Sequence, residues 1–187
     1  MIEELLVKID TALSRMEIPY MIIGGQAVLI YGEPRFTRDI DITLGIDTSE
    51  LPKLLNLIEL LKFQVLISNI EEFVQQTYVL PTIDNNTGIR IDFIFSFDEY
   101  EKCAINRANK IVIGNNSIKF ASIEDLLIHK IFSGRERDFE DIRSIILKNP
   151  SFDLLYINKW LKLFDESFPE KRFLDKFNEI LKETKIN

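Results

Sequence analysis

The stretch Arg38–Leu44 reads RDIDITL, and its alternation of polar and apolar residues predicts a β-strand. Because successive side chains of a strand point to opposite faces, Asp39 and Asp41 share one face while Ile40 and Ile42 share the other. Two like charges are thereby held close together, although aspartate is depleted in strands and neighbouring carboxylates repel one another. A bound divalent cation would remove this conflict. An ordinary edge strand with its polar face in water would explain the pattern equally well.

Paired glycines, Gly24 and Gly25, precede this strand and directly follow the apolar run Tyr20–Ile23. The pattern predicts a buried strand that turns into a helix. Backbone amides at such a helix start can bind an anionic phosphate, although paired glycines often mark only a tight turn. Between this turn and the acidic strand, Arg35 and Thr37 supply a guanidinium and a hydroxyl that could also bind a phosphate.

A third acid, Asp92, lies in the apolar stretch Gly88–Phe95, which reads GIRIDFIF. A lone aspartate among apolar strand residues is costly unless it has a partner. The preceding run Tyr78–Ile83 and the turn-rich residues 84–88 predict that Ile89–Phe95 is the second strand of a hairpin. Asp92 is therefore a candidate to join the two acids of the first strand.

The remaining periodicity divides the chain into two parts. A second hairpin is predicted over residues 110–120, whereas only helical spacing is found from Ser122 onward. We therefore predict an α+β fold, in which a mixed β-sheet with flanking helices over residues 1–121 is followed by a C-terminal helical portion over residues 122–187. Helices are predicted at residues 2–16, 26–31, 51–62, 122–133, 136–148, 152–164 and 169–185, and a further strand at residues 63–67.

The amino-acid composition limits the class of protein and the kind of metal site that the chain can form. The chain has 187 residues, of which 46% are hydrophobic and 28% charged, which is typical of a globular protein. It has no apolar run of about 20 residues and no basic signal-peptide start, so we predict a cytoplasmic protein without a membrane partner. A single cysteine and a single histidine exclude an intrachain disulfide and a Cys-rich zinc site, so any catalytic metal would be held by oxygen. The net charge of −7 argues against strong non-specific nucleic-acid binding.

The order of these motifs resembles the polymerase-beta-type nucleotidyltransferase superfamily, with Gly-Gly at a strand–helix turn, Asp-x-Asp on the next strand and a third Asp on a later strand. Within the superfamily, Gly24–Ala27 followed by Arg35-x-Thr37-x-Asp39-x-Asp41 looks most like the AbiEii-type nucleotidyltransferases, which include toxins of toxin–antitoxin systems. Many superfamily members carry Ser after the first Gly, whereas Gly25 and then Gln26 follow Gly24 here. This departure concerns the triphosphate contact and leaves the metal site as the motif predicts.

A second match lies at Ser122–Lys130 and Arg137–Ile142, which resemble the family's lysine-bearing helix and its later acidic helix. At 100° per residue, Lys130 and Asp138 each fall inside an apolar stripe of their helix. We predict that Lys130 holds a phosphate and that Asp138 orients or neutralises it between turnovers. A purely structural ion pair between helices is the alternative.

The resemblance implies an activity as well as a fold. Asp39 and Asp41 would hold two Mg²⁺ ions, with Mn²⁺ as an alternative, against a nucleoside triphosphate, and Asp92 would bind the metal that activates the acceptor. A nucleoside monophosphate would then pass to an acceptor hydroxyl and pyrophosphate would leave.

The AbiEii resemblance points to the 3′ end of a tRNA as the acceptor and to an antitoxin as a partner. The negative charge leaves a small molecule or a protein hydroxyl open. Two alternatives remain, namely a non-catalytic nucleotidyltransferase-like binding module and an antibiotic-type adenylyltransferase.

Overall fold

The computed structural model describes residues 1–96 and 98–185, which form two compact units. Within these residues, the first unit comprises the part of the chain in 1–26 and 37–121, and the second comprises 27–36 and 122–185. The helix that follows the paired glycines therefore starts in the first unit and ends in the second. The division into a nucleotidyltransferase core over residues 1–121 and a C-terminal helical portion over residues 122–187 that completes the cleft stays a prediction.

The first unit is built on a mixed sheet, which has seven strands in the described part of the chain. The strands are β1 (Tyr20–Ile23), β2 (Asp39–Leu44), β3 (Gln64–Val65), β4 (Val79–Asp84), β5 (Ile89–Phe95), β6 (Asn109–Ile113) and β7 (Asn116–Phe120). Their order across the sheet is β3-β4-β5-β2-β1-β7-β6. The acidic strand β2 is thus central, antiparallel to β1 and parallel to β5. The predicted α+β fold with a mixed sheet is confirmed.

Helices flank this sheet. The helices that begin in the first unit are α1 (Ile2–Arg15), α2 (Gly24–Tyr31), α3 (Leu51–Leu61), α4 (Ile70–Thr77) and α5 (Glu99–Asn106). Helix α1 buries the predicted apolar stripe, and α3 packs beside it. The apolar face of β2 is fully buried, because Ile40, Ile42 and Leu44 each have an exposed fraction of 0%. This buried face fixes the register of the strand, since a shift by one residue would bury the aspartates instead.

The structure differs from the sequence prediction at short elements. The strand predicted at residues 63–67 is only the two-residue β3. Helices α4 and α5, each of eight residues, were not predicted. Ile70, Phe73 and Val74 give α4 helical spacing, but the helix is short and begins without a side-chain cap at Asn69. Helix α5 does carry a start signal, because Asp98 accepts a hydrogen bond from the backbone amide of Glu101.

The second unit is helical beyond residue 122, as predicted. Its helices are α6 (Ile123–Ser133), α7 (Glu136–Lys148), α8 (Leu154–Ser167) and α9 (Phe173–Lys185). Helix α6 begins with a side-chain cap, since the Ser122 hydroxyl accepts a hydrogen bond from the backbone amide of Asp125 at 3.1 Å. Helix α9 begins four residues later than predicted, because Arg172 has a left-handed φ of 52° and the Asp165 carboxylate binds the backbone amides of Phe173 and Leu174.

Candidate active site

The three predicted carboxylates lie on neighbouring strands of the first unit. Asp41 of β2 and Asp92 of β5 are register partners, and Asp39 is the partner of Arg90. Register partners of parallel strands point to the same face, and the strands lie about 4.8 Å apart. Asp39, Asp41 and Asp92 therefore share one face of the sheet, with Arg90 as the fourth member of the patch.

Gly24 makes room for the carboxylate of Asp41. A Cβ atom added to Gly24 would lie 1.9 Å from Asp41 Oδ2 and 2.8 Å from its Cγ. Gly24 also has a φ of +62°, in the left-handed region that side chains rarely adopt. Only glycine therefore allows the start of α2 to come this close to the acidic strand.

Gly25 makes room for the side chain of Thr37 in the same way. A Cβ atom at Gly25 would lie 2.3 Å from the Thr37 hydroxyl oxygen. The next residue, Gln26, is buried, and its side-chain amide donates a hydrogen bond to the backbone carbonyl of Asp39 at 3.3 Å. The start of α2 is thus joined to both the segment before β2 and the strand itself.

Arg90 is a member of the patch that the sequence analysis did not identify. Its guanidinium Nε donates a hydrogen bond to Asp92 Oδ1 at 3.1 Å, and its side chain is 51% exposed against 21% for Asp92. The sequence carried a signal for this placement, because Arg90 and Asp92 are two residues apart in one predicted strand and so face the same side.

The donors suit a hard divalent cation, since all three acids offer carboxylate oxygens and Gly24 keeps the space beside Asp41 clear. Within residues 1–96 and 98–185, no three acidic, histidine or cysteine side chains already converge on one point that a cation could occupy. Cation binding by all three acids would therefore require their side chains to turn toward a common point, and Arg90 would compete with the metal for Oδ1 of Asp92.

The second unit holds a separate cluster of buried charges. Lys130 of α6 lies 2.6 Å from Asp138 Oδ1 and 2.8 Å from Asp141 Oδ2, both on α7. Arg35 donates two hydrogen bonds to the same Asp141 carboxylate, from Nε at 2.8 Å and from Nη2 at 2.9 Å. Side-chain exposure is 9% for Lys130, 7% for Asp138, 5% for Asp141 and 21% for Arg35. Two cations thus meet two carboxylates, and the charges balance.

Asp141 is the residue that joins Lys130 to Arg35, and it was missed because it lies at the edge of the apolar stripe of α7. Burial alone would raise the pKa of its carboxyl group, but the hydrogen bonds from Arg35 and Lys130 outweigh burial and hold that pKa below its ordinary value. Asp141 is therefore ionised in the folded protein over the whole neutral range. Lys130 does contact Asp138, and the role of either residue in nucleotide binding stays a prediction.

The fold is of the nucleotidyltransferase type. The sequence of residues 1–185 matches the family model described as "Nucleotidyltransferase of unknown function (DUF6036)", and the chain belongs to this family. No curated protein sequence matches the chain. In the part of the chain that is described, no helix is long and apolar enough to cross a membrane.

Solved structures share the fold at low sequence identity. ANT(2″)-Ia, an antibiotic-resistance factor solved with adenylyl-2″-tobramycin, superposes with a TM-score of 0.56 at 17% identity, over 94% of this chain and 98% of that one. A putative nucleotidyltransferase from Thermotoga maritima gives a TM-score of 0.52 at 17% identity, over 75% and 89% of the two chains. An antigenic nucleotidyltransferase-like protein from Paracoccidioides brasiliensis gives 0.51 at 19% identity, over 77% and 73%. These similarities establish the fold.

Proposed function

We propose that the chain is a divalent-metal-dependent enzyme that transfers a nucleoside monophosphate from a nucleoside triphosphate to an acceptor hydroxyl and releases pyrophosphate. The observation that carries the proposal is the pairing of Asp41 with Asp92 across parallel strands, with Asp39 on the same face. Asp39, Asp41 and Asp92 would hold Mg²⁺ or Mn²⁺. When bound, paired divalent ions stabilise the entering and leaving oxygens of an in-line displacement at phosphorus.

The protein's own groups would bind and orient the substrate. We assign phosphate contacts to the backbone amides of Gly24 and Gly25, which start α2, and to the hydroxyl of Thr37. In the second unit, Lys130 and Arg35 are the cations with a phosphate role. Both are neutralised by aspartates in this structure, so a phosphate would compete with Asp138 and Asp141 for them.

A proton must leave the acceptor hydroxyl during the transfer. Asp92 is the acid to which we assign this proton, because it is the carboxylate on the strand next to the Asp39 and Asp41 pair.

The acceptor is the open part of the proposal. The AbiEii-type resemblance favours the 3′ end of a tRNA, and a toxin role with an antitoxin partner would follow from it. The net charge of −7 favours a cationic small molecule over a polyanion, and ANT(2″)-Ia has been solved with such a product. A protein hydroxyl remains a third acceptor class.

One experiment addresses nucleotide and acceptor together. The protein is incubated with Mg²⁺ and each α-labelled nucleoside triphosphate in turn, with total RNA in one series and aminoglycosides in another. Label in RNA that falls steeply with added salt identifies a nucleic-acid acceptor, since phosphate contacts are salt-dependent. Label in the small molecule identifies the other class. No labelled product and no pyrophosphate with any acceptor would reject the transferase proposal.

The non-catalytic alternative also has an observation in its favour, namely the engagement of Asp92 by Arg90. In that case the chain would be a binding module that uses a nucleotidyltransferase fold. Calorimetric titration with Mn²⁺ and a non-hydrolysable nucleoside triphosphate separates the two. Metal-dependent nucleotide affinity supports the enzyme, and its absence from a folded protein supports the binding module.

A further inference from the structure

The aromatic ring of Phe36 is unusually exposed. Its exposed fraction is 72%, whereas the exposed phenylalanines Phe132 and Phe168 reach 47% and 44%. Phe132 is also covered in part by other rings, since it stacks on Phe173 at a centroid distance of 5.2 Å. Phe36 therefore presents a large apolar surface to solvent in the short loop that follows α2.

The backbone that carries this ring is anchored on both sides. Arg35 binds the buried Asp141 of α7 through two hydrogen bonds of 2.8 and 2.9 Å. Arg137, also on α7, donates a hydrogen bond from Nη2 to the backbone carbonyl of Phe36 at 3.2 Å. Bidentate guanidinium–carboxylate contacts are among the most geometrically specific in proteins. The ring is thus held outward by a loop that is fixed to a helix.

Two arginines lie at the start of the helix that anchors this loop. Arg135 and Arg137 are both exposed at the start of α7, a helix of 13 residues whose N-terminal dipole is positive. Glu136 and Asp138 are the acids of the same turn, and Asp138 is paired with Lys130. An exposed ring beside guanidinium groups is the combination that proteins use to bind unpaired nucleotides, in which the base stacks and the phosphate contacts the arginine.

We propose that Phe36 is a stacking platform for an unpaired nucleobase and that Arg137 and Arg135 contact the phosphate of the same nucleotide. The inference rests on the proposed function, which supplies two sources for such a base. One is the incoming nucleoside triphosphate, and the other is the terminal nucleotide of an acceptor strand. Arg35 and Asp141 are positioning residues for the platform, because they hold its backbone without reaching the ring.

The test measures binding by the full-length chain, with two probes. One probe is a fluorescent nucleoside triphosphate, and the other is a fluorescein-labelled single-stranded RNA of eight nucleotides, followed by fluorescence anisotropy. Phe36→Ala should weaken binding about tenfold, because stacking on one aromatic side chain contributes on this scale. Phe36→Tyr should keep the affinity. Leu155→Ala is the matched control, since Leu155 is an apolar residue of the same unit that is 83% exposed.

The two probes decide the source of the base. A loss confined to the triphosphate identifies the incoming nucleotide, and a loss confined to the RNA identifies the acceptor strand. Arg137→Gln should weaken the same probe and reduce the slope of log affinity against log salt by about one. If Phe36→Ala binds both probes as the wild type does, or the wild type binds neither, the platform is rejected.

The platform and the proposed function fail separately. Binding that depends on Phe36, in a wild-type protein that releases no pyrophosphate, would keep the platform and reject the transferase. If Phe36→Ala transfers nucleotide and binds both probes as the wild type does, the transferase is kept and the platform is rejected. The thermal unfolding temperature of Phe36→Ala should match that of the wild type, because the lost ring is mostly exposed.

Discussion

Asp41 and Asp92 lie directly opposite each other on adjacent parallel strands, although they are 51 residues apart in the sequence. On the sheet face away from the acids, the two strands bury isoleucine and phenylalanine side chains. The hydrophobic core therefore fixes the register that brings the acids together. The placement of the carboxylates is therefore a consequence of core packing and not of any contact that the acids make with each other.

Substitution of Asp41 should separate activity from stability. Asp41→Asn should abolish nucleotide transfer, because a neutral amide binds a divalent cation far more weakly than a carboxylate. The unfolding temperature should stay the same or rise, since the substitution removes repulsion from Asp39 and Asp92. Pyrophosphate release and calorimetry measure the two effects. Asp175→Asn, at an exposed carboxylate of α9, is the control and should change neither.

Gly24 should be far less tolerant of alanine than Gly88. Both residues have left-handed backbone conformations, with φ of +62° and +70°, so alanine costs roughly 1–2 kcal/mol at either site. Only at Gly24 would the new Cβ also collide with the Asp41 carboxylate, whereas nothing lies within 4 Å of a Cβ at Gly88. Denaturant unfolding should show the larger loss for Gly24→Ala, with loss of transfer as well. Equal losses of stability, with transfer intact in both, would contradict the close approach.

Asp141 should contribute to acid stability. Its pKa is held below the ordinary value by Arg35 and Lys130, so its contribution is complete above about pH 4 and is lost as the pH falls through the folded-state pKa. Asp141→Asn should lower the free energy of unfolding by about 3 kcal/mol at pH 7, because it leaves two cations without this partner. The difference from the wild type should shrink below pH 4, as measured by denaturant unfolding at each pH.

The exposed ion pair between Arg143 and Glu183 provides the control for this series. Glu183→Gln should change the free energy of unfolding by less than about 1 kcal/mol, since both side chains are largely exposed. A penalty for Asp141→Asn that is no larger than this, or one that is independent of pH, would show that the buried cluster does not stabilise the fold.

Arg90 should oppose metal binding by Asp92. Arg90→Gln removes the cation that competes for Asp92 Oδ1, so Mn²⁺ should bind more tightly, by up to about fivefold for a partly exposed pair. Calorimetric titration with Mn²⁺ measures this without relying on activity. Lys102→Ala, which removes an exposed pair with Glu99, should leave Mn²⁺ affinity unchanged. Weaker Mn²⁺ binding in Arg90→Gln would mean that Arg90 orients Asp92 for the metal instead of competing with it.

The sequence was informative where one physical signal dominates. Strands β1 and β5 were predicted with their observed bounds, and β2 within one residue, because their apolar runs and alternation are unbroken. The burial of Lys130 also followed from helical periodicity, as its exposed fraction is 7%. Each candidate site residue on these elements could therefore be assigned to one face of its strand or helix.

The sequence did not show which distant elements lie beside each other. Nothing in the chain order shows that β5 lies beside β2, or that Arg35 reaches Asp141, which is 106 residues away. The roles of Arg90 and Asp141 depend on such pairings and so could not be assigned beforehand. The short helix α4 was missed for a local reason, since its eight residues fall short of the window of about 11 residues over which helical spacing is read.

The central measurement is pyrophosphate release from a nucleoside triphosphate with Mg²⁺ and either total RNA or aminoglycosides as acceptors, compared among the wild type, Asp41→Asn and Asp92→Asn. The account predicts release by the wild type that stops when the metal is chelated, and none by either variant while both remain folded. Release by Asp41→Asn or Asp92→Asn at the wild-type rate would contradict the assignment of the paired carboxylates as the catalytic centre.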